Sequence, residues 1–156
     1  MDAYLQQILP EILLWLFVVN LGIALGAGLY EMRVVVPLWA SNPPVSIGHP
    51  DSGLRFWVFV STGPLTILCL ANLFYAWQAL GPRHNWWLVA AILELVSRLM
   101  TFGYFIPTVI RLQRSQAPAA EVRAKFSQWI TLNYVRVILT LAAWLAALKT
   151  LTLPAA

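Results

Sequence analysis

Two arginines lie in the middle of long apolar segments, where a charged side chain requires a chemical reason. Arg98 is near the centre of segment 86–110, and Arg136 is near the centre of segment 126–148. A charge at that depth in a bilayer costs roughly 3 kcal/mol even on lenient insertion scales, and intramembrane ionisable residues commonly mark functional sites. We therefore expect both side chains to face a protein interior and to have polar partners there.

Helical spacing and depth indicate those partners. Glu94 is four residues before Arg98, so the two share a helix face. Glu31, at the end of the first apolar segment, is predicted to lie on the same side of the membrane as Arg136. We predict catalytic roles for Glu94, Arg98, Arg136 and Glu31, because intramembrane ionisable groups are functional by default and such a site would suit a developing oxyanion. The alternative is that Glu94–Arg98 and Glu31–Arg136 are structural ion pairs that hold a helix bundle together.

A second set of residues on the same inward faces is predicted to bind a ligand. A few polar groups that converge in an apolar pocket suit a flat lipophilic molecule. The four charges named above cancel, and Arg33 would add one positive charge, so the pocket would also suit an anion or a developing oxyanion. The mouth of this pocket is predicted near Tyr30 and His49. The predicted ligand-binding residues are Asn133, Asn72, Tyr104, Tyr134 and Trp129.

The elements that must position these residues are transmembrane helices. Of 156 residues, 60% are hydrophobic and 10% charged, whereas soluble domains are about 25% charged. About 20 apolar residues span a bilayer core, and in lipid only a helix satisfies its backbone hydrogen bonds within one segment. We predict an all-α fold, a four-transmembrane-helix bundle that forms a single membrane domain over residues 1–156, with helices at about 10–36, 54–80, 86–112 and 122–150.

Helix-breaking residues and tryptophans mark the ends of the segments. Pro37, with the Ser-Asn-Pro-Pro run at 41–44, is predicted to end the first helix, and 81–85 forms a tight turn. Pro64 and Pro107 are candidate breaks inside helices two and three. The tryptophans near helix ends are interpreted as interfacial belts; these are Trp57, Trp77, Trp86, Trp87, Trp129 and Trp144.

Loop charge predicts the orientation of the bundle. Loops one and three carry most of the lysines and arginines, so by the positive-inside rule they face the cytoplasm and both termini lie on the non-cytoplasmic side. No Lys or Arg precedes Arg33, so the first segment lacks the basic start of a signal peptide and is predicted to be a retained helix. We predict an integral, multi-pass protein of a bacterial inner membrane.

Several other chemistries are disfavoured. Cys69 is the only cysteine, which excludes a disulfide or a redox thiol pair within the chain. His49 and His84 lie in a loop and a turn, which disfavours bis-histidine haem, and we predict no metal site and no cofactor. The basic residues form no run, so nucleic acid is not an expected partner. The expected partners are membrane lipid, a lipophilic small molecule and, through Gly22 and Gly26, possible homo-oligomer contacts.

Three short motifs resemble those of the anthrone-oxygenase-like family of small membrane proteins. They are Gly-Ala-Gly-Leu-Tyr-Glu at 26–31 leading to Val-Pro-Leu-Trp at 36–39, Phe-Ile-Pro-Thr at 105–108, and Trp-Ile-Thr-Leu-Asn-Tyr-Val-Arg at 129–136. The resemblance implies a four-helix membrane protein. It also implies the chemistry of the fungal members, which oxidise polyketide anthrones to anthraquinones with O2 and no known cofactor. By match of motif it implies that Asn133 and Arg136 are site residues, whereas Glu31 and Arg98 are inferred from depth.

Three functions remain open from the sequence. The first is a membrane protein that binds a flat lipophilic molecule and acts as a cofactor-independent oxidoreductase or oxygenase through an enolate or phenolate. The second is a non-enzymatic small-molecule carrier or transport subunit. The third is a structural membrane subunit, in which the buried charges only hold the helices together.

Overall fold

Four long helices make up nearly all of the chain that the structure describes. In this computed structural model the described residues are 2–41, 56–115 and 118–154. They contain no β-strand, and each of the four helices is long and apolar enough to cross a membrane. Each of the first three helices contains one π-helical stretch. The bounds are Asp2–Tyr30, π Glu31–Val35 and Val36–Ser41 for α1; π Trp57–Thr62 and Gly63–Gln78 for α2; Arg83–Met100, π Thr101–Phe105 and Ile106–Gln113 for α3; and Ala119–Leu151 for α4.

The helices form an antiparallel bundle in which each packs against the next, and α4 closes the ring against α1. Cross-helix contacts set the directions: Asn72 on α2 reaches the carbonyl of Leu13, whereas Val60, earlier on α2, meets Asn20. The most extensive pairing is between α3 and α4, the two helices that carry the buried arginines. The predicted all-α four-helix membrane bundle is therefore confirmed.

The predicted end of the first helix is wrong, because α1 continues through Pro37 to Ser41. A proline has no N–H and its ring clashes with the carbonyl four residues earlier. Here a π turn precedes the proline, and the N–H of Val36 bonds the carbonyl of Glu31, five residues back. The same arrangement precedes Pro64 and Pro107, so neither of them breaks its helix. Each of the three prolines follows the last π-helical residue by two positions.

A tight turn joins α2 and α3 as predicted, but it spans residues 79–82 and not 81–85. Gly81 has φ 70°, a left-handed conformation that favours glycine, and Pro82 then precedes the first residue of α3. The predicted start of the third helix at about 86 is therefore three residues late. The fourth helix begins at Ala119, also three residues before the predicted position, directly after Pro118 in extended conformation.

The bundle is apolar outside and has a polar layer inside. Large side chains such as Phe59, Ile67 and Trp77 are mostly exposed, as expected of a surface that faces lipid. Two apolar clusters occupy the two halves of the interior, one around Phe17 and Leu65 and the other around Phe105. Between them lies a layer of buried polar residues, which includes Glu31, Glu94, Ser97, Arg98, Thr101, Asn133 and Thr140.

The small residues of α1 serve packing within the chain. A side chain at Gly22 would lie 3.4 Å from the indole nitrogen of Trp144 on α4, so this glycine allows α1 and α4 to approach closely. A side chain at Gly26 would meet nothing within 4 Å. At Gly22 the close helix approach is thus made with the chain's own fourth helix, and the predicted homo-oligomer contacts stay a prediction.

Candidate functional site

The pair Glu94–Arg98 forms the deeper half of the polar layer. The Arg98 Nε lies 2.7 Å from the Glu94 Oε1, and the two side chains are 6% and 0% exposed. Thr140 on α4 donates to the other carboxylate oxygen at 3.2 Å, and Ser97 lies 3.3 Å from the Thr140 hydroxyl. The four-residue spacing on α3 brings the charges together, and α4 supplies the hydroxyl. Both carboxylate oxygens of Glu94 therefore have partners.

The pair Glu31–Arg136 is looser and joins two helices. The Arg136 Nη2 lies 3.7 Å from the Glu31 Oε2, which the π turn of α1 presents. The Arg136 Nε donates to the Asn133 side-chain oxygen at 2.8 Å, and the Asn133 side-chain nitrogen donates to the Met32 sulfur at 2.7 Å. Asn133 thus orients Arg136 and is itself held by the residue next to Glu31.

Aromatic rings hold the Arg136 guanidinium in place. Its central carbon lies 4.9 Å from the ring centroid of Phe105 and 5.8 Å from that of Trp57. Both distances are within the range of a cation–π contact. The guanidinium is therefore fixed by the carboxylate of Glu31, by the Asn133 amide and by two aromatic faces.

A small chamber separates the two ion pairs. Its volume is about 20 Å³, and Arg98, Arg136, Thr140 and Trp57 contribute to its wall. A polar chamber of that size can hold a water molecule. The four charges therefore belong to one connected polar layer. Arg136 and Trp57 line both this chamber and a larger cavity, and so separate the two.

The larger cavity opens beside Glu31 and Arg136 and has a volume of about 210 Å³. It exceeds the ~150 Å³ apolar cavity that accepts benzene in an engineered protein. All four helices contribute to its wall, including each of the three π-helical stretches. Its lining is mainly aromatic and aliphatic and consists of Glu31, Trp39, Trp57, Val58, Thr62, Thr101, Phe105, Ile106, Val109, Ile110, Gln113, Trp129 and Arg136.

The part of the chain that carries most of the polar layer matches a known protein family. Residues 56–146 match the family described as anthrone oxygenase. That stretch is more than half of the chain. The chain belongs to the anthrone oxygenase family. No curated protein and no solved structure matches it.

The anthrone oxygenase match confirms the resemblance seen in the sequence and covers α2, α3 and most of α4. It includes Glu94, Arg98, Asn133 and Arg136. Glu31 lies before it, on α1, so its place in the site comes from the structure.

The four predicted catalytic residues all lie in the polar layer, but they do not all lie at the same depth. Glu31 and Arg136 line the larger cavity, whereas Arg98 lines the small chamber and Glu94 lies behind it. Their predicted roles in catalysis stay predictions. The alternative of purely structural ion pairs fits the enclosed Glu94–Arg98 pair better than the pair at the cavity wall.

The predicted ligand-binding residues are distributed more widely. Trp129 lines the cavity, and Asn133 lies behind Arg136. Tyr104 is half-buried next to Phe105, while Tyr134 and Tyr30 lie on the exposed surface of the bundle. His49 is outside the described residues, and Arg33 is exposed.

Asn72 lies in the other half of the bundle, where its hydrogen bonds are all made within the fold. Its side-chain nitrogen donates to the carbonyls of Leu13 at 3.1 Å and Leu68 at 2.8 Å. Its oxygen accepts from the indole N–H of Trp87 at 2.9 Å. The residue therefore connects α1, α2 and α3, and this arrangement gives it a structural task.

The predicted ligand-binding residues do not include three aromatic residues of the cavity wall, Trp39, Trp57 and Phe105. Trp57 was interpreted as part of an interfacial belt, as was Trp129, which is 4% exposed. A signal was present: Trp39, Phe105 and Trp129 all belong to the motifs that carry the family resemblance. A tryptophan near a helix end on the inward face is a pocket residue, and only its angular position on the helix distinguishes it from a belt residue.

Proposed function

We propose that this protein binds a flat lipophilic molecule with an ionisable oxygen in the aromatic cavity and oxidises it with O2. The observation that carries the proposal is the Glu31–Arg136 pair in the wall of an apolar cavity of about 210 Å³. A base and a cation at one end of an aromatic-walled space can bind a hydrophobic acid, remove its proton and hold the anion. Membership of the anthrone oxygenase family supports the same chemistry.

Arg136 holds the oxygen of the substrate anion, and Glu31 accepts the proton. Their 3.7 Å separation is long for an ion pair, so a substrate oxygen can approach the guanidinium without first breaking a tight bond. Asn133 keeps the guanidinium in position through its 2.8 Å hydrogen bond to Nε. Glu94 and Arg98 act one layer deeper as positioning residues, because their charges face each other at 2.7 Å.

The reaction is balanced for a CH2 group that is conjugated to an aromatic ketone. Glu31 removes one proton, and the resulting enolate oxygen lies against Arg136. The enolate carbon passes two electrons to O2 in one-electron steps, a C–O bond forms, and the peroxide anion takes the proton back from Glu31. Loss of the second C–H proton and cleavage of the O–O bond leave a C=O group and one water. One CH2 and one O2 thus give one C=O and one H2O.

The proposed setting is the inner membrane of a bacterium, with both termini outside and the cavity end of the bundle toward the cytoplasm. Arg111, Arg114 and Arg123 are exposed at that end. At the opposite end the Arg83 guanidinium lies 2.7 Å from Glu11, so its charge is locally balanced. This difference supports the orientation that loop charge predicts.

Oxidation of anthrone by the purified protein in lipid nanodiscs tests the proposal. Oxygen uptake and anthraquinone absorbance are followed together, with empty nanodiscs as the blank. Arg136→Gln is expected to lower the rate by about 100-fold, the usual effect of losing one oxyanion donor. Arg123→Gln, an exposed arginine on the same helix, is the matched control and should leave the rate unchanged.

Two results would overturn the proposal. Equal rates for Arg136→Gln and Arg123→Gln would remove Arg136 from the reaction. Tight binding of anthrone without oxygen uptake would favour the carrier function, because the cavity would then hold the molecule without transforming it.

A further inference from the structure

Trp129 is held rigidly in the wall of the cavity. Its ring stacks on Phe126 with centroids 5.7 Å apart and an interplanar angle of 15°. It meets Phe105 edge-on at 5.6 Å and Trp39 in a tilted contact at 6.1 Å. Three aromatic neighbours fix the plane of the indole, and so the direction of its N–H bond is fixed as well.

The indole N–H of Trp129 is buried and has no hydrogen-bond acceptor among the described residues. Buried tryptophan N–H groups usually have a partner, because an unmet buried donor costs free energy. By contrast, the indole N–H of Trp87 in the other half of the bundle donates to Asn72 at 2.9 Å. Since Trp129 also lines the cavity, an oxygen of the molecule in the cavity is the natural acceptor.

Trp129 and Arg136 lie at two separate points of the cavity wall. They are seven residues apart on α4, which is about two turns and ~10 Å along the helix axis. Both residues contact Phe105, but the rest of their surroundings differ: Arg136 has the carboxylate of Glu31 beside it, whereas the other ring contacts of Trp129 are Trp39 and Phe126. An ionised oxygen would be costly among those rings, but a neutral oxygen needs only one donor.

We propose that Trp129 determines specificity by donating a hydrogen bond to a second, neutral oxygen of the ligand. The ligand is then a flat lipophilic molecule with two oxygen functions toward its two ends, an ionisable hydroxyl at Arg136 and a carbonyl or ether oxygen at Trp129. This inference rests on the proposed function, because it concerns the same cavity.

A pair of naphthols that differ in one oxygen tests the assignment. The first, 6-acetyl-2-naphthol, carries a hydroxyl at one end and a carbonyl at the other, and 6-ethyl-2-naphthol lacks the carbonyl. Binding to the full-length protein in nanodiscs is measured by naphthol fluorescence, with empty nanodiscs subtracted. Trp129→Phe should weaken binding of the acetyl compound by about five- to tenfold, the usual effect of one net hydrogen bond, and change binding of the ethyl compound by less than twofold.

Trp77→Phe is the matched control for the substitution. Trp77 lies on the outer surface of α2 and is 74% exposed, so its replacement should leave the affinity for both naphthols unchanged. Arg136→Gln should weaken both naphthols alike, because both carry the hydroxyl.

The outcomes separate this inference from the proposed function. If Trp129→Phe weakens both naphthols equally, the second hydrogen bond is absent and the inference fails, while the proposed function stands. If neither naphthol binds the unaltered protein, or Arg136→Gln changes neither affinity, the proposed function fails and the inference fails with it.

A measurement on the unaltered protein covers the case in which Trp129→Phe does not fold. With nitrogen-15 in the tryptophan side chains, the acetyl compound should move one indole N–H proton resonance downfield, as a new hydrogen bond does. The ethyl compound should not produce that shift. Identical indole spectra with the two compounds would overturn the inference.

Discussion

Burial should decide how much the ion pairs stabilise this protein, and two pairs with the same spacing and distance allow a comparison. Glu94–Arg98 and Glu121–Lys125 both have a four-residue spacing on a helix and a nitrogen–oxygen distance of 2.7 Å. The first pair is almost fully enclosed, whereas the side chains of Glu121 and Lys125 are 52% and 61% exposed. The charges are thus equally close in the two pairs, while the surroundings differ.

The magnitude for the buried pair follows from its distance. At 2.7 Å and an effective dielectric constant of about 20, the attraction is roughly 6 kcal/mol, and the cost of removing one partner of a buried pair is about 3–5 kcal/mol. Glu94→Gln should therefore lower the free energy of unfolding by about that amount. Glu121→Gln should leave it unchanged within error, because exposed pairs contribute little.

Reversible unfolding in mixed micelles with increasing SDS, followed by circular dichroism, measures both variants. The double variant Glu94→Leu with Arg98→Met serves as a second control, since it leaves no buried charge without a partner and should recover most of the lost stability. Equal unfolding free energies for Glu94→Gln and Glu121→Gln would refute the stabilising role of the buried Glu94–Arg98 pair.

Two further predictions concern the fold. Asn72→Ala should lower the free energy of unfolding by about 2–3 kcal/mol, because it leaves the buried Trp87 N–H without its acceptor. Gln78 is exposed at the end of the same helix, so Gln78→Ala should have little effect in the same assay. The positive charge of the cavity end predicts that the C-terminus lies outside the cytoplasm. In a bacterial host, a C-terminal alkaline phosphatase fusion should therefore be active and a C-terminal green fluorescent protein fusion should be dark. The reverse pattern would show that the predicted orientation is wrong.

The bundle could be predicted from the sequence because lipid leaves so few alternatives. Four apolar segments of sufficient length and a tight turn at 81–85 dictate four helices and the pairing of α2 with α3. The end of α1 could not be predicted, since Pro37 alone indicates a stop. The π turn that allows the helix to continue depends on the register of Glu31 to Val35 against neighbouring helices, which no local pattern reveals.

The polar layer could be predicted in part. Arg98 and Glu94 were paired by spacing, and Arg136 with Glu31 by depth, and both pairs exist. Asn72 was assigned to the ligand on its polarity and depth, although its amide could equally serve the backbone of a neighbouring helix, as it does. Of the aromatic residues of the cavity, Trp129 was predicted to bind a ligand and Trp39, Trp57 and Phe105 were not. A sequence indicates the depth of such a residue, whereas its angular position depends on how the helices pack.

The three π turns contribute residues to the wall of the cavity, so the shape of the cavity depends on the backbone conformation of these turns. The residues Glu31, Trp57, Val58, Thr62, Thr101 and Phe105 belong to π-helical stretches and also line it. A π turn holds one more residue than an α turn, so it widens the helix locally while the segments on either side keep their faces. π turns are frequent at functional sites, and three at one level of a small bundle fit the proposed role of this end in ligand binding.

Removal of one residue from a π turn should therefore leave the protein folded but abolish ligand binding in the cavity. Deletion of Gly103, which has open space around it, is combined with Pro107→Ala, because the π turn also accommodates this proline; together they should convert Thr101–Phe105 to a regular α turn and leave the rest of α3 in register. Deletion of the exposed Val96 from the regular part of α3 should rotate all later residues by about 100° and disrupt the bundle. We expect the Gly103 deletion to elute as a folded protein with near-normal helical content and to lose binding of 6-ethyl-2-naphthol, whereas the Val96 deletion should aggregate. Equal disruption by the two deletions would contradict this role of the π turn, and so would unchanged naphthol binding after the Gly103 deletion.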